Sequence, residues 1–166
     1  MGNIKNISNK NIVIKPFRKE YITEKYVSWL NDKDVTKYSE QRHHQHTIGS
    51  CIEFLDFNKK NNNIFYAVFL KINKLEHIGN ILAYIDLNNN SANLTILIGE
   101  KRYWGLGYGL EAWTLMLNYL LKNLKIRKVC AGTVNENYGM LKIMKMSGML
   151  PDGIRVKEKL VGSKEL

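Results

Sequence analysis

The sequence is poor in the residues that build cross-linked, disordered or membrane-embedded proteins. Its two cysteines, Cys51 and Cys130, are far apart and show no C-x-x-C spacing, so we expect neither a disulfide framework nor a zinc site. Two prolines and a charged share of 24% beside 45% hydrophobic residues argue against disorder. No apolar run approaches the roughly 18 residues of a membrane span, and the N-terminal stretch MGNIKN lacks an apolar leader. We expect a folded, soluble, cytoplasmic protein without membrane or metal partners.

Acidic residues are also scarce, and the balance is strongly basic. There are 25 Lys and Arg against 15 Asp and Glu among 166 residues, which gives a net charge of +10. The basic residues are spread along the chain, and the tightest group, Lys125, Arg127 and Lys128, carries no arginine-rich or aromatic-interleaved module. The charge therefore favours an anionic ligand rather than nucleic acid. A chain of this length can bury roughly 68–70% of its unfolded surface, so we expect one domain over residues 1–166.

The hydrophobic pattern predicts a mixed α/β (α+β) protein. Strand-like runs predict strands over 12–17, 64–70, 78–86, 94–98, 128–134 and 154–161, and the first of them opens with alternating apolar residues. Helical spacing predicts helices over 22–30, 48–55, 110–124 and 137–147, the second of them capped by Thr47. Loops are expected over 34–46, 58–63 and 87–91. Three consecutive strands with short connections favour an antiparallel meander.

The most distinctive stretch is EKRYWGLGYG at residues 100–109, between a strand and the long helix. Glycines allow close backbone approach, and a helix N-terminus carries partial positive charge, so a strand, glycine loop and helix together suit a phosphate group. The spacing is not that of a dinucleotide fingerprint, and the Gly-Lys-Ser/Thr of a Walker loop is absent.

Two motifs carry a resemblance to a known family. Residues 102–107, RYWGLG, match the Gln/Arg-x-x-Gly-x-Gly/Ala pattern, and residues 137–149, NYGMLKIMKMSGM, resemble an Asn-led helix ending in Lys-x-Gly-Phe, with Met149 replacing Phe. Together with the order of strands and helices, they make nearly the whole chain resemble the GNAT superfamily of acyl-CoA N-acyltransferases. The resemblance implies a mostly antiparallel central sheet flanked by about four helices.

The resemblance also implies acetyl-CoA as the acyl donor, with no metal. The pantetheine arm would lie between the strands at 94–98 and 128–134, and the pyrophosphate would sit on backbone amides from Tyr103 to Gly109. The Trp104 side chain is expected to pack the loop against the sheet. The cofactor-binding residues implied are Ile98, Arg102, Tyr103, Trp104, Gly105, Leu106, Gly107, Tyr108, Gly109 and Asn137.

The catalytic residues implied by the resemblance depart from the family pattern. Direct attack by an amine gives a tetrahedral oxyanion, which a backbone N–H around Leu97 or Ile98 would stabilise. The family often has a glutamate base and a tyrosine acid at positions where this sequence has Asn93 and Met144. Tyr138 is a nearby substitute for the acid. Glu40 is our candidate for the base or for amine recognition, against the alternatives of a solvated loop carboxylate and of water as the base.

The acceptor is expected to be a small-molecule amine. Arg42, His43, His44 and Asp86 are the substrate-binding candidates, although Asp86 could equally begin a turn. Residues 29–43, WLNDKDVTKYSEQRH, look similar to two GNAT branches, one acting on ribosomal-protein N-termini and the other on nucleotide-linked amino sugars. The EQRH continuation favours the sugar branch. A CoA-binding protein without catalysis is the alternative from another class.

The end of the sequence departs from the family as well. A GNAT sheet usually has a seventh strand, whereas this sequence stops at Leu166, just after Gly162 and Ser163 would begin the turn into it. An uncovered strand edge invites pairing with another chain, so we expect dimerisation or strand exchange at this end.

Overall fold

A computed structural model describes residues 5–72 and 74–166. Residues 1–4, part of the stretch expected to lack a leader, lie outside the described residues. The helices of the described part are α1 (Glu24–Asn31), α2 (Lys33–Thr36), α3 (Ile48–Lys60), α4 (Tyr108–Asn118) and α5 (Tyr138–Met146), with a π-turn over Tyr119–Asn123 prolonging α4. Its strands are β1 (Ile7–Ser8), β2 (Ile12–Pro16), β3 (Ile64–Lys71), β4 (Leu75–Asp86), β5 (Ser91–Ile98), β6 (Lys128–Cys130), β7 (Leu160–Val161) and β8 (Lys164–Glu165). None of these helices is long and apolar enough to cross a bilayer.

Within the described residues, β1 to β6 form one sheet in sequence order. All neighbours are antiparallel except β5 and β6, which are parallel, so the predicted meander over β3, β4 and β5 is confirmed. Successive strand residues point to opposite faces of the sheet. One face packs against Trp113 and Met116 of α4 and Leu120 of the π-turn, and the other packs against α1 and α3. The mixed α/β class and the mostly antiparallel sheet are therefore as expected.

Helix α3 runs further than the sequence pattern predicted. Residues 58–63 were expected to form a loop, but the helix continues to Lys60. The reason is Asn58, whose side chain is fully buried: its amide donates to the Phe54 carbonyl at 2.7 Å, and its oxygen accepts from Asn63 at 3.0 Å. These bonds satisfy an asparagine inside the helix, so the turn begins only at Asn61. The predicted capping of this helix by Thr47 is confirmed, in a reciprocal pair with Ser50.

The predicted last strand over 154–161 is wrong in its extent and in its place. Only Leu160 and Val161 are extended and paired, and they join β8 in a separate two-stranded hairpin. Ile154 and Val156, which carry the alternating pattern, are 91% and 82% exposed. Alternation predicts a strand only where a neighbour supplies hydrogen bonds. For the same reason the strand expected over 128–134 ends at Cys130, opposite its last partner, Asn93. Strand β1 and helix α2 were not predicted.

Candidate active site

Strand β5 continues beyond the end of β6 and leaves a gap in the sheet beside its second half. The two strands pair over the whole of β6 but over only the first three residues of β5, where Ala92 stands opposite Val129 and Asn93 opposite Cys130. Strand β5 then continues to Ile98, paired with β4 on one side only. Both strands run in the same direction, so the gap opens towards the end of β5. Leu97 and Ile98 lie half-buried on this open stretch.

The first two residues after β5 are hydrogen-bonded to β4. The amides of Gly99 and Glu100 donate to the Ile78 carbonyl of β4 at 2.9 and 3.2 Å. A 3-10 turn over Lys101–Tyr103 comes next, and α4 begins at Tyr108. Between them, Gly105 and Gly107 have φ of +76° and +89°, a conformation that favours glycine. The loop and the entry to the long helix therefore depend on these two glycines.

The loop has a set of free amides at its helix end. The amides of Tyr103 and Trp104 donate within the turn, to the carbonyls of Glu100 and Lys101, both at 3.0 Å. From residue 105 to residue 107 no amide donates to an acceptor in the described part of the chain. The first amides of α4, from residue 108, have no partner inside a helix. A run of free N–H groups at a helix N-terminus forms an anion site.

The two basic side chains at the start of the loop are paired with acidic groups. The Lys101 ammonium lies 2.8 Å from Asp32 and 2.6 Å from Asp34. Arg102 pairs with Glu76 of β4 and lies 3.7 Å from Glu100. The predicted phosphate cation, Arg102, is thus held by carboxylates.

Two aromatic residues complete the attachment of the loop. The Tyr103 hydroxyl donates to Glu76 at 2.8 Å, and the Trp104 indole donates to the Ile98 carbonyl at 2.7 Å. Trp104 thereby ties the loop to the last residue of β5. Partial burial raises the pKa of Glu76, but hydrogen bonds from Tyr103, Arg102 and Lys25 outweigh it, so its pKa lies below the usual value.

Asn137 lies at the start of α5, next to the loop helix. Its side-chain oxygen accepts from the Met140 amide at 3.2 Å, and its amide donates to the Thr133 hydroxyl at 3.0 Å. Asn137 therefore caps α5 and fixes the chain that leads into it. A methyl group on Gly109 would lie 3.3 Å from the Ile143 side chain, so α4 and α5 touch where the two sequence motifs meet.

A small cavity lies at the closed end of the gap. Tyr84, Asn93 and Cys130 stand side by side across β4, β5 and β6. They line a volume of about 340 Å³ together with Ile85, Asp86, Ser91 and Ala92. Sequence reasoning missed Tyr84 and Cys130 as site residues, because only the register of three strands brings them together. Asp86 does line this cavity, but its carboxylate also accepts from Asn89 at 2.7 and 3.0 Å, and these bonds lower its pKa.

The candidate base is placed elsewhere, in a 3-10 turn over Glu40–His43. The Glu40 carboxylate lies 3.4 Å from both Arg42 and Lys159. Burial raises the pKa of Glu40, but the charges and hydrogen bonds of Lys159 and Arg42 together outweigh it, so the pKa lies below its usual value and Glu40 is ionised at neutral pH. Arg42 also donates to the Leu160 carbonyl at 2.8 Å. The turn is thus connected to the C-terminal hairpin of β7 and β8.

The remaining predicted residues are more exposed. His43 and His44 lie on the surface of the same turn. Tyr138, the first residue of α5, is 76% exposed. Neither Glu40 nor Tyr138 lines the cavity beside Asn93, so the structure does not bring all the predicted catalytic residues together. Among the described residues, no three His, Cys, Asp or Glu side chains are grouped to hold a metal ion.

Comparison with known proteins agrees with this geometry. A family model described as an acetyltransferase (GNAT) domain matches residues 11–150. No curated protein matches the sequence.

Solved structures share the fold at low sequence identity. An acetyltransferase of the GNAT family from Bacillus anthracis is 22% identical, with a TM-score of 0.81, over 97% of this chain and 93% of that one. The ribosomal-protein-S5-alanine acetyltransferase from Vibrio fischeri is 14% identical, with a TM-score of 0.81, over 97% and 91%. A microcin C7 self-immunity acetyltransferase, solved with acetyl-CoA and AMP, is 15% identical, with a TM-score of 0.77, over 95% and 88%. The family match spans most of the chain, and the chain belongs to the GNAT acetyltransferase family.

Proposed function

We propose that the protein transfers an acetyl group from acetyl-CoA to the primary amine of a small acceptor by direct attack. The observation that carries the proposal is the open edge of β5 leading to a glycine loop with free amides. An extended pantetheine arm carries amide groups that can pair with a free strand edge, and a pyrophosphate suits the amides at a helix N-terminus. The microcin C7 self-immunity acetyltransferase, which shares the fold, was solved with acetyl-CoA.

We assign the donor to the residues around this edge and loop. The pantetheine arm lies along Ile98, and the amides beyond Trp104 take the pyrophosphate. Arg102 adds positive potential near the phosphates, but Glu76 and Glu100 hold its guanidinium. Asn137 positions the start of α5 on the other side of the arm.

The reaction needs an uncharged amine, because an alkylammonium has no lone pair with which to attack the thioester. The amine nitrogen bonds to the thioester carbon, and the Ile98 amide stabilises the resulting oxyanion, because the Leu97 amide points to β4, as the Gly99 amide does. The C–S bond then breaks, and Tyr138 donates a proton to the departing thiolate. The nitrogen, which is positively charged after the attack, loses one proton to water, and water returns a proton to Tyr138. Glu40, which is ionised, attracts the ammonium and takes its proton through water. Because Glu40 does not line the cavity, water is an essential part of this step.

The favoured acceptor is a nucleotide-linked amino sugar. Its amine would enter the cavity beside Asn93 and Asp86, and Asp86 would attract it while it is still charged. Its diphosphate brings charge opposite to the net +10 of the chain, with Arg42, His43 and His44 at the outer surface. The AMP in the microcin C7 self-immunity acetyltransferase supports a nucleotide as part of the acceptor.

Acceptor-dependent release of CoA thiol tests this proposal. The panel consists of nucleotide-linked amino sugars, peptides with ribosomal-protein N-termini, and spermine as a simple polyamine. We expect turnover with the amino sugars, and we expect Glu40→Gln to slow it much more than the control Asp56→Asn, which removes an exposed carboxylate from α3. Turnover on ribosomal peptides alone would contradict the proposed acceptor.

Two other functions remain as candidates. The Vibrio fischeri ribosomal-protein acetyltransferase with the same fold favours an N-terminal peptide acceptor. The absence of the usual Glu and Tyr at Asn93 and Met144 favours a CoA-binding protein without catalysis. Tight CoA binding without thiol release for any amine would support that last function.

We further propose that a second copy of the chain is a partner. The outer edge of β6 has no neighbour within the described residues, and Leu150, Ile154 and Val156 are exposed in the segment whose Asp152 pairs with Lys128 of β6. Free strand edges and exposed apolar side chains both favour association. Sedimentation of the intact chain as a monomer at all concentrations would contradict this partner.

A further inference from the structure

Glu76 is the acidic residue that accepts hydrogen bonds from two residues of the glycine loop between β5 and α4. It lies near the start of β4, and its side chain is only 18% exposed. It accepts from Arg102 and Tyr103, which are consecutive residues of the loop, and from Lys25 of α1 at 3.3 Å. Lys25 also pairs with Glu100 at 2.5 Å, so the group connects β4, α1 and the loop.

These contacts act on the part of the loop that precedes the free amides. The 3-10 turn ends at Tyr103, and Gly105 and Gly107 follow with positive φ. A methyl group added to Gly105 or Gly107 would have no atom within 4 Å, so packing does not hold these glycines in place. The direction of the free amides is therefore set from the two ends of the loop, by α4 on one side and by the Glu76 contacts on the other.

We propose that Glu76 is a positioning residue for the pyrophosphate of the acyl donor. It holds Arg102 and Tyr103 so that the amides from residue 105 onward keep the arrangement that an anion needs. It touches neither the substrate nor the reacting atoms. The inference rests on the proposed function, because it requires that the loop binds a diphosphate.

The consequence is a selective loss of donor affinity. A donor with a pyrophosphate depends on the loop, whereas S-acetyl-pantetheine, which lacks it, contacts only the gap between β5 and β6. A loop that is less well positioned raises KM for the first donor and leaves KM for the second unchanged. The chemical step is the same with both donors, so kcat should change little.

Steady-state kinetics of the full chain with the two donors tests this inference. We expect Glu76→Gln to raise KM for acetyl-CoA about tenfold, equivalent to about 1.4 kcal/mol, with kcat changed less than about twofold. We expect Tyr103→Phe, which removes one hydroxyl, to raise KM for acetyl-CoA about threefold. KM for S-acetyl-pantetheine should stay at the wild-type value in both variants. Asp56→Asn is the control, because it removes a carboxylate that pairs with Lys59 away from the loop.

The opposing results are distinct. An unchanged KM for acetyl-CoA, an equal rise for both donors, or tighter CoA binding through a released Arg102 would each overturn the role of Glu76. If Glu76→Gln does not fold, the donor contrast in Tyr103→Phe decides the question. Calorimetry of CoA with the wild-type chain separates the two proposals: no binding there would overturn the proposed function as well, whereas binding without a donor contrast would overturn the positioning role alone.

Discussion

Replacement of Gly107 by alanine should separate the stability of the loop from its ability to bind an anion. Gly107 has φ of +89° and precedes the first residue of α4. An L-residue in this conformation costs about 1–2 kcal/mol. A methyl group there meets nothing within 4 Å, so the cost is that of the backbone alone. For a chain of this size the melting temperature should fall by about 2–8 °C.

The effect on CoA should be larger than this loss of stability suggests. The strained residue relaxes by turning the amides around it, and each hydrogen bond to a charged group contributes about 1.5–3 kcal/mol. Loss of one such bond weakens CoA binding by about tenfold or more. The assay is calorimetric titration with CoA, alongside thermal unfolding of the same samples.

Gly162→Ala is the matched control for this experiment. Gly162 lies in the hairpin of β7 and β8, has φ of +64°, and also has nothing within 4 Å of an added methyl group. It should show the same fall in melting temperature and an unchanged CoA affinity. If Gly107→Ala binds CoA as the wild type does, the loop is not the pyrophosphate site. If Gly162→Ala loses as much affinity, the loss comes from general destabilisation.

Three further predictions concern the sheet and the loop. Burial lowers the pKa of His77 to about 4 from its ordinary 6.5, so between these pH values the unfolded chain binds more protons than the folded chain. The free energy of unfolding should therefore fall by about 3 kcal/mol from pH 7 to pH 4. Urea titrations check this, and His77→Phe should remove most of the pH dependence. Gly99→Ala places a methyl group 2.1 Å from the Trp29 ring and should lower the melting temperature by about 5–10 °C, so an unchanged value would contradict the packing described. Trp104→Phe removes the bond to Ile98 and should raise KM for acetyl-CoA about threefold in steady-state assays, while an unchanged KM would show that the indole does not hold the loop.

Much of the fold could be predicted because local patterns and contacts agree. Strands β3 to β5 are rich in apolar residues and are joined by short turns, so neighbours in sequence are neighbours in the sheet. The glycine loop and the Asn137 helix are continuous in sequence, so their motifs identified the candidate donor site. The predicted bounds of helices and strands were wrong where a distant or buried partner determines where the element ends. Asn58 stays in α3 through its own buried hydrogen bonds, and the residues around Ile154 lack a strand to pair with.

The side-chain pairing in the site could not be predicted for the same reason. Arg102 resembles a phosphate ligand in its motif, but its partner Glu76 lies 26 residues away and reaches it only through the fold of β4 onto β5. Glu40 looks like an open loop carboxylate, yet Lys159 comes to it from the far end of the chain. Such pairs produce neither a hydrophobic periodicity nor a fixed motif spacing in a single sequence.

The position of Trp104 gives the protein an internal optical reporter. Of its three tryptophans, Trp29 and Trp113 are buried, whereas Trp104 is 44% exposed and lies in the glycine loop. A water-soluble quencher such as iodide therefore reaches the emission of Trp104 and spares the emission from the core. A change in the quenchable fraction of the emission on ligand binding reports a change in the exposure of the loop, without a label or a substitution.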